Sequence, residues 1–189
     1  FGHFQYTILP GGEKAIREPW RIAVSLIKTA YGPSWEEIAL NLNLIPDKSH
    51  LELLNKMIDG KINSPLASGL GRLFDGVAAL IGSRRQVSFE GQAAMCLEML
   101  ATGYSGKPYP FEIIRENGKP YILNITAMIK AIVAEMEKGR SSAKIAASFH
   151  QTITEMFGVM ADEMRRETGI TRVVLSGGCF QNKILLEGS

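Results

Sequence analysis

One long periodic run near the C-terminus constrains this chain more than anything else in it. From Ser141 or Ser142, either of which can cap a helix, the apolar residues Ile145, Phe149, Ile153, Met156, Met160 and Met164 step by three and four without a lapse. Gly169 closes that helix. Thr171 to Leu175 then runs through β-branched and aliphatic residues with no polar alternation, the pattern of a short buried strand. Gly177-Gly178 follows at once, and a helical pattern restarts with Phe180, Ile184 and Leu185. A long helix that feeds a buried strand is α/β logic in a chain that otherwise reads as mainly helical.

A strand, a glycine turn and a helix start together aim free backbone N–H groups at an anion. Gly177 and Gly178 lack the β-carbons that keep a ligand from the backbone, and Asn182 adds a side chain that both donates and accepts. The same pattern also serves as a plain tight connection. Cys179 stands beside the turn, where nearby N–H groups can stabilise a thiolate, although the position equally suits a small apolar residue.

A second stretch with the same ambiguity is Ser68 to Gly82. Leu70, Leu73, Phe74, Val77, Leu80 and Ile81 form one apolar stripe at helical spacing. Gly71, Asp75, Ala78 and Gly82 form another, three small residues around one carboxylate. Gly71 and Asp75 lie one above the other on that face, so a flat or hydroxylated ligand can rest on the glycine and bond to the carboxylate. The competing reading is close helix packing, with Asp75 paired to Arg72.

The remaining pattern surrounds these two stretches. Phe1 to Ile8 is aromatic-rich and reads as a strand, broken at Leu9-Pro10-Gly11-Gly12. Pro19 suits a helix start, with Trp20, Val24, Ile27 and Tyr31 on one face and Gly32-Pro33 ending it. Ser34 with Glu37 has the form of a capping box, and Asp47 can cap a helix stopped at Gly60. Ser88 to Thr102 reads as a helix in which Glu90 simply favours the dipole. Phe111 to Asn124 reads as a hairpin about Asn117-Gly118 in a type I′ turn, and Thr126 to Lys138 as a helix ended by Gly139.

Composition excludes several classes. With 46% hydrophobic and 21% charged residues, the chain can bury a sizeable core as a soluble globular piece. A net charge of +2 gives no basis for a nucleic acid or membrane partner, and no run of about eighteen apolar residues is present. Two cysteines, Cys96 and Cys179, fit a reducing compartment, so a cytoplasmic protein is expected. His3, His50 and His150 are scattered and predict no metal site of the chain's own; His150, beside Phe149, reads as a surface or boundary residue. The chain opens at Phe1 without Met and stops at Ser189 inside a helical pattern, so residues 1–189 read as a single piece cut at both ends.

Five blocks then resemble one family. Leu9-Pro10-Gly11-Gly12 through Arg21, Asn63-Ser64-Pro65-Leu66, Gly71 through Leu80, Phe89 through Ala94, and Leu175-Ser176-Gly177-Gly178-Cys179-Phe180-Gln181-Asn182 are similar, in order, to the hydrogenase-maturation carbamoyltransferases, the HypF family. The resemblance implies the C-terminal carbamoyltransferase domain, related to the tRNA threonylcarbamoyl-transferase family. The fold it implies is part of an actin/Hsp70/sugar-kinase-like ATPase, α/β and predominantly helical.

The chemistry the resemblance implies starts from carbamoyl phosphate and ATP, from which an upstream module makes carbamoyl-adenylate. The carbamoyl group then passes to the C-terminal cysteine of a thiol-bearing partner of the HypE type. Carried over to this chain, Asp75 beside Gly71 would bind ribose hydroxyls, and Gly177, Gly178 and Asn182 would hold the adenosine and phosphate side. Arg17 and Arg21 match family positions with no assigned role, and two readings stand: a basic group that stabilises the charge on the leaving AMP, or structural pairing with Glu18. The divalent metal's histidine pair would lie upstream of Phe1 and its last aspartate beyond Ser189, so residues 1–189 alone are expected to be catalytically silent. Cys179 and Gly69 depart from the family's small aliphatic residue and serine. Two other readings are an antibiotic-type O-carbamoyltransferase and a non-catalytic helical binding module.

Overall fold

The computed structural model describes residues 2–188. Their architecture is mixed α/β and predominantly helical, as the pattern predicts. Two short strands, β1 (Gly2–Phe4) and β2 (Thr7–Ile8), stand where one was expected. Helices α1 (Glu13–Arg17), α2 (Trp20–Tyr31), α3 (Trp35–Asn41) and α4 (Lys48–Asp59) follow. Then come β3 (Leu66–Ala67), α5 (Leu70–Leu80), α6 (Gln92–Ala101), β4 (Glu112–Ile114) and β5 (Tyr121–Asn124). Helices α7 (Thr126–Glu137), α8 (Ser142–Thr168) and α9 (Lys183–Gly188) complete the order. No helix among the described residues is long and apolar enough to cross a membrane.

Helix α5 sits at the centre. Every residue from Leu73 to Leu80 is buried, so both stripes read from its sequence are enclosed over that span, while Leu70 and Gly71 at its start are half-buried and Gly82 beyond its end is exposed. On one side it meets α2 so closely that a β-carbon on Gly76 would stand 2.6 Å from Leu26 Cδ1 and 2.9 Å from Ile22 Cγ2. On the other, Phe74 meets Phe149 of α8 edge to face at 4.9 Å, a geometry that adds about 0.5–1.5 kcal/mol beyond area burial. The main core is continuous from Phe4 to Leu185.

Two small sheets hold the N-terminal segment in place. β5 pairs parallel with β1 and antiparallel with β4. β2 pairs antiparallel with β3, and Leu9 N–H to the Pro65 carbonyl and Gly11 N–H to the Asn63 carbonyl continue that contact, both at 2.8 Å. The Leu9–Gly12 and Asn63–Leu66 blocks are therefore neighbours in space.

Several local expectations change. Ser34 makes no capping hydrogen bond, because a 3-10 turn over Gly32–Ser34 runs directly into α3. Asp47 does cap α4, accepting from His50 N–H at 3.0 Å. The β4–β5 connection runs from Arg115 to Pro120, longer than the two-residue I′ turn expected about Asn117-Gly118. The largest correction concerns the strand–Gly-Gly–helix unit. Thr171 to Leu175 forms no strand among the described residues and is exposed, Val174 to 87%. Its apolar composition has the strand pattern, but a strand needs a neighbouring backbone to pair with.

Candidate functional site

A cavity of about 540 Å³ opens between the N-terminal half of α5, the start of α6 and the turn that precedes α9. Its size falls in the range of small-molecule sites. Gly71, Arg72 and Asp75 come from α5, Glu90, Gly91, Met95 and Glu98 from the α6 side, and Gly178, Cys179 and Asn182 from the turn. The fold thus brings Gly71, Asp75, Gly178 and Asn182 to one space. Gly177 is outside the lining, at the base of the turn. Arg17 and Arg21 do not line the cavity. Arg21 is buried, with its Nε donating to Glu18 Oε2 at 2.6 Å while its guanidinium stacks on Trp20.

Asp75 dominates the electrostatics. It is 3% exposed, and Arg72 Nη1 stands 3.0 Å from its Oδ2. Nη1 is enclosed yet has no aligned hydrogen-bond acceptor among the described residues, so the pair is a charge contact only. Burial pushes the Asp75 carboxyl up to about 6, Arg72 pulls it back and Glu90 pushes it further up. The sequence pattern puts Glu90 in the first turn of the helix, but α6 starts at Gln92 and the Glu90 carboxylate reaches Arg72 Nη2 at 3.3 Å. Arg72 therefore spans two carboxylates across the cavity mouth. Glu98, on the same side, accepts from Lys183 N–H at 2.7 Å and ties α6 to the start of α9.

The glycine turn differs from its expected form. Gly177 has φ 103°, a conformation that suits glycine, and Gly178–Gln181 is a 3-10 turn. Phe180 N–H bonds back to the Gly177 carbonyl and Asn182 N–H to that of Cys179, so two of the amides expected to face an anion are used inside the turn. α9 begins three residues later than the pattern suggests, at Lys183. Asn182 is its cap: Oδ1 accepts from Leu185 N–H at 3.1 Å. Cys179 lies 3.8 Å from where a Gly71 β-carbon would be. Burial first, and Asp75 after it, push its thiol up against the pull of Arg72, the opposite of a stabilised thiolate. His150 is 0% exposed rather than at the surface or boundary. Among the described residues no group of three or more His, Cys, Asp or Glu side chains is placed to hold a metal ion.

Comparison with known proteins identifies the class that this fold and cavity define. The family model for the second subdomain of the carbamoyltransferase Kae1-like domain matches residues 1–189. The chain is 33% identical to carbamoyltransferase HypF2 of Cupriavidus necator and 32% identical to carbamoyltransferase HypF of Synechocystis, each over 97% of its length. It spans 25% of the length of each of these two relatives. Among solved structures it superposes with TM-score 0.90 and 39% identity on a full-length HypF in a phosphate- and nucleotide-bound form, covering 100% of this chain and 24% of that one. A HypF from T. kodakarensis superposes with TM-score 0.81 and 27% identity, over 99% of this chain and 25% of its own. The chain belongs to the HypF carbamoyltransferase family.

Proposed function

We propose that this chain supplies one wall of a nucleotide site in a carbamoyltransferase. The observation that carries the reading is the cavity itself, in which an enclosed carboxylate, Asp75, stands beside a helix surface left bare by Gly71 and faces the turn at Gly178 and Asn182. A carboxylate held largely out of water is costly, and it gains most from a ligand hydroxyl that donates to it. The unmatched Arg72 Nη1 adds a donor at the same place. The solved relative named for its nucleotide-bound form supports the same assignment.

In this reading the ribose hydroxyls of ATP or carbamoyl-adenylate donate to Asp75, and Gly178 and Asn182 line the opposite side. Gly177 acts only through the shape of the turn, Arg21 is structural through Glu18 and Trp20, and Arg17 is exposed and outside the cavity lining. The intact protein takes ATP and carbamoyl phosphate, and the carbamoyl group of carbamoyl-adenylate moves to the C-terminal cysteine of a HypE-type partner. In that step a C–S bond forms, the C–O bond to the phosphate of AMP breaks, and the thiol proton is lost to solvent. The residues described here hold the nucleoside in place; they do not fit a metal centre, and no step is assigned to one.

The test uses the intact protein with carbamoyl-adenylate and a peptide ending in cysteine, with the thiocarbamate read by mass spectrometry. Wild type should form the product, and Asp75→Ala should raise KM for the adenylate by roughly tenfold or more through loss of a charge-assisted bond. Absence of product, or an unchanged KM in the variant, would contradict the assignment.

A further inference from the structure

His150 lies in α8, with its ring edge-on to Phe74 at 5.2 Å and to Phe149 at 5.8 Å. Its Nδ1 is 2.8 Å from the Ala146 carbonyl oxygen one turn back in the helix. A carbonyl oxygen only accepts, so the ring proton is on Nδ1 and Nε2 keeps its lone pair. Asn182 Nδ2 stands 3.0 Å from that lone pair. At the other end of the same amide, Oδ1 receives Leu185 N–H. The two contacts agree on one orientation, and a flipped amide would set donor against donor at Leu185 and acceptor against acceptor at His150. Burial holds the imidazole below its ordinary pKa, opposed by the Ala146 bond and by Glu98 on α6, which favours the neutral ring this pairing needs.

We propose that His150 is a positioning residue of the cavity: by accepting one Nδ2 hydrogen of Asn182, it locks that amide so that the second Nδ2 hydrogen and the open lone pair of Oδ1 serve a bound nucleoside. The proposal rests on the nucleotide reading above. An amide has two donors and two acceptor sites, and the protein uses one of each. Asn182 is 8% exposed, so its freedom to find other partners is small. The class of group this arrangement takes is one that both donates and accepts, such as the amino group and ring nitrogen on the edge of an adenine. The lock also joins the turn to the long helix, because α9 and its cap hang on the same side chain.

The experiment uses the intact protein, ring 15N spectra of His150, and calorimetric titration with ATP. In wild type the ring should be neutral and protonated on Nδ1. In Asn182→Asp a carboxylate faces Nε2, and the ring should become doubly protonated at a pH where wild type is neutral. His150→Gln keeps an acceptor and should hold ATP affinity within about twofold, whereas His150→Leu leaves a buried Nδ2 hydrogen unpaired and should weaken it by about fivefold or more. A wild-type ring protonated on Nε2, leucine binding as tightly as histidine, or glutamine binding as weakly as leucine would each overturn the proposal. If the His150 variants do not fold, the ring spectra of wild type and Asn182→Asp decide it. If wild type takes up no ATP, the nucleotide reading fails, and the spectra still decide whether His150 orients Asn182.

Discussion

Asp75 is enclosed at the cavity, with Arg72 Nη1 3.0 Å from its Oδ2. Burial raises its carboxyl from 3.8 to about 6, so the folded protein holds the proton more tightly than the unfolded chain does. Stability from this group is therefore greatest below pH 3.8, and it falls as pH rises toward 6 and stays low above. Asp75→Asn removes the charge and keeps the shape. It should be more stable than wild type at pH 7–8 by on the order of 2–3 kcal/mol, and the gap should close on acidification to about pH 4. Chemical denaturation at several pH values checks this, and a gap that is constant or widens in acid would contradict it. In the nucleotide reading proposed above, a ligand hydroxyl offsets that cost. At this scale Asp75, Gly71 and the Arg72 pairing were legible from spacing along one helix. Glu90 and His150 were not, because one acquires its role from a partner on α5 and the other from the packing of α5 and α9 around it.

Close approach decides the elements. α2 and α5 touch through Gly76, where Ile22 and Leu26, both fully buried, leave no space for a methyl group. Gly76→Ala should cost about 1–3 kcal/mol from overpacking, reduced somewhat by the better helix propensity of alanine. Gly71→Ala should cost little or nothing, since its nearest neighbour would be Cys179 Sγ at 3.8 Å. Urea denaturation of the two variants checks the contrast, and equal losses would contradict it. Long periodic helices such as α8 were readable because a 3.6-residue apolar stripe needs only one face to pack against. Thr171 to Leu175 departs from its strand pattern because such a run carries no information about whether a neighbouring strand is there to receive it. The expected Ser34 cap failed for a similar reason, the preceding turn having already continued into the helix.

For the whole molecule, blocks far apart in the chain meet in pairs. Leu9–Gly12 lies along Asn63–Leu66, and Gly71–Asp75 faces Gly178–Asn182 across the cavity. That order of blocks carried the family resemblance, and a predominantly helical α/β fold followed from pattern, but the spatial pairing depends on α2, α6 and α8 packing around α5. Ile170, Val173 and Val174 are exposed on the segment that leads into the glycine turn. The central claim is that this cavity binds a nucleotide through Asp75. Isothermal titration of ATP into the intact wild-type protein and into Asp75→Ala, both shown folded by circular dichroism, tests it most directly. Binding by wild type with a loss of roughly ten- to hundredfold in the variant is expected for one charge-assisted hydrogen bond. No heat with wild type, or equal affinity in the two proteins, would contradict it.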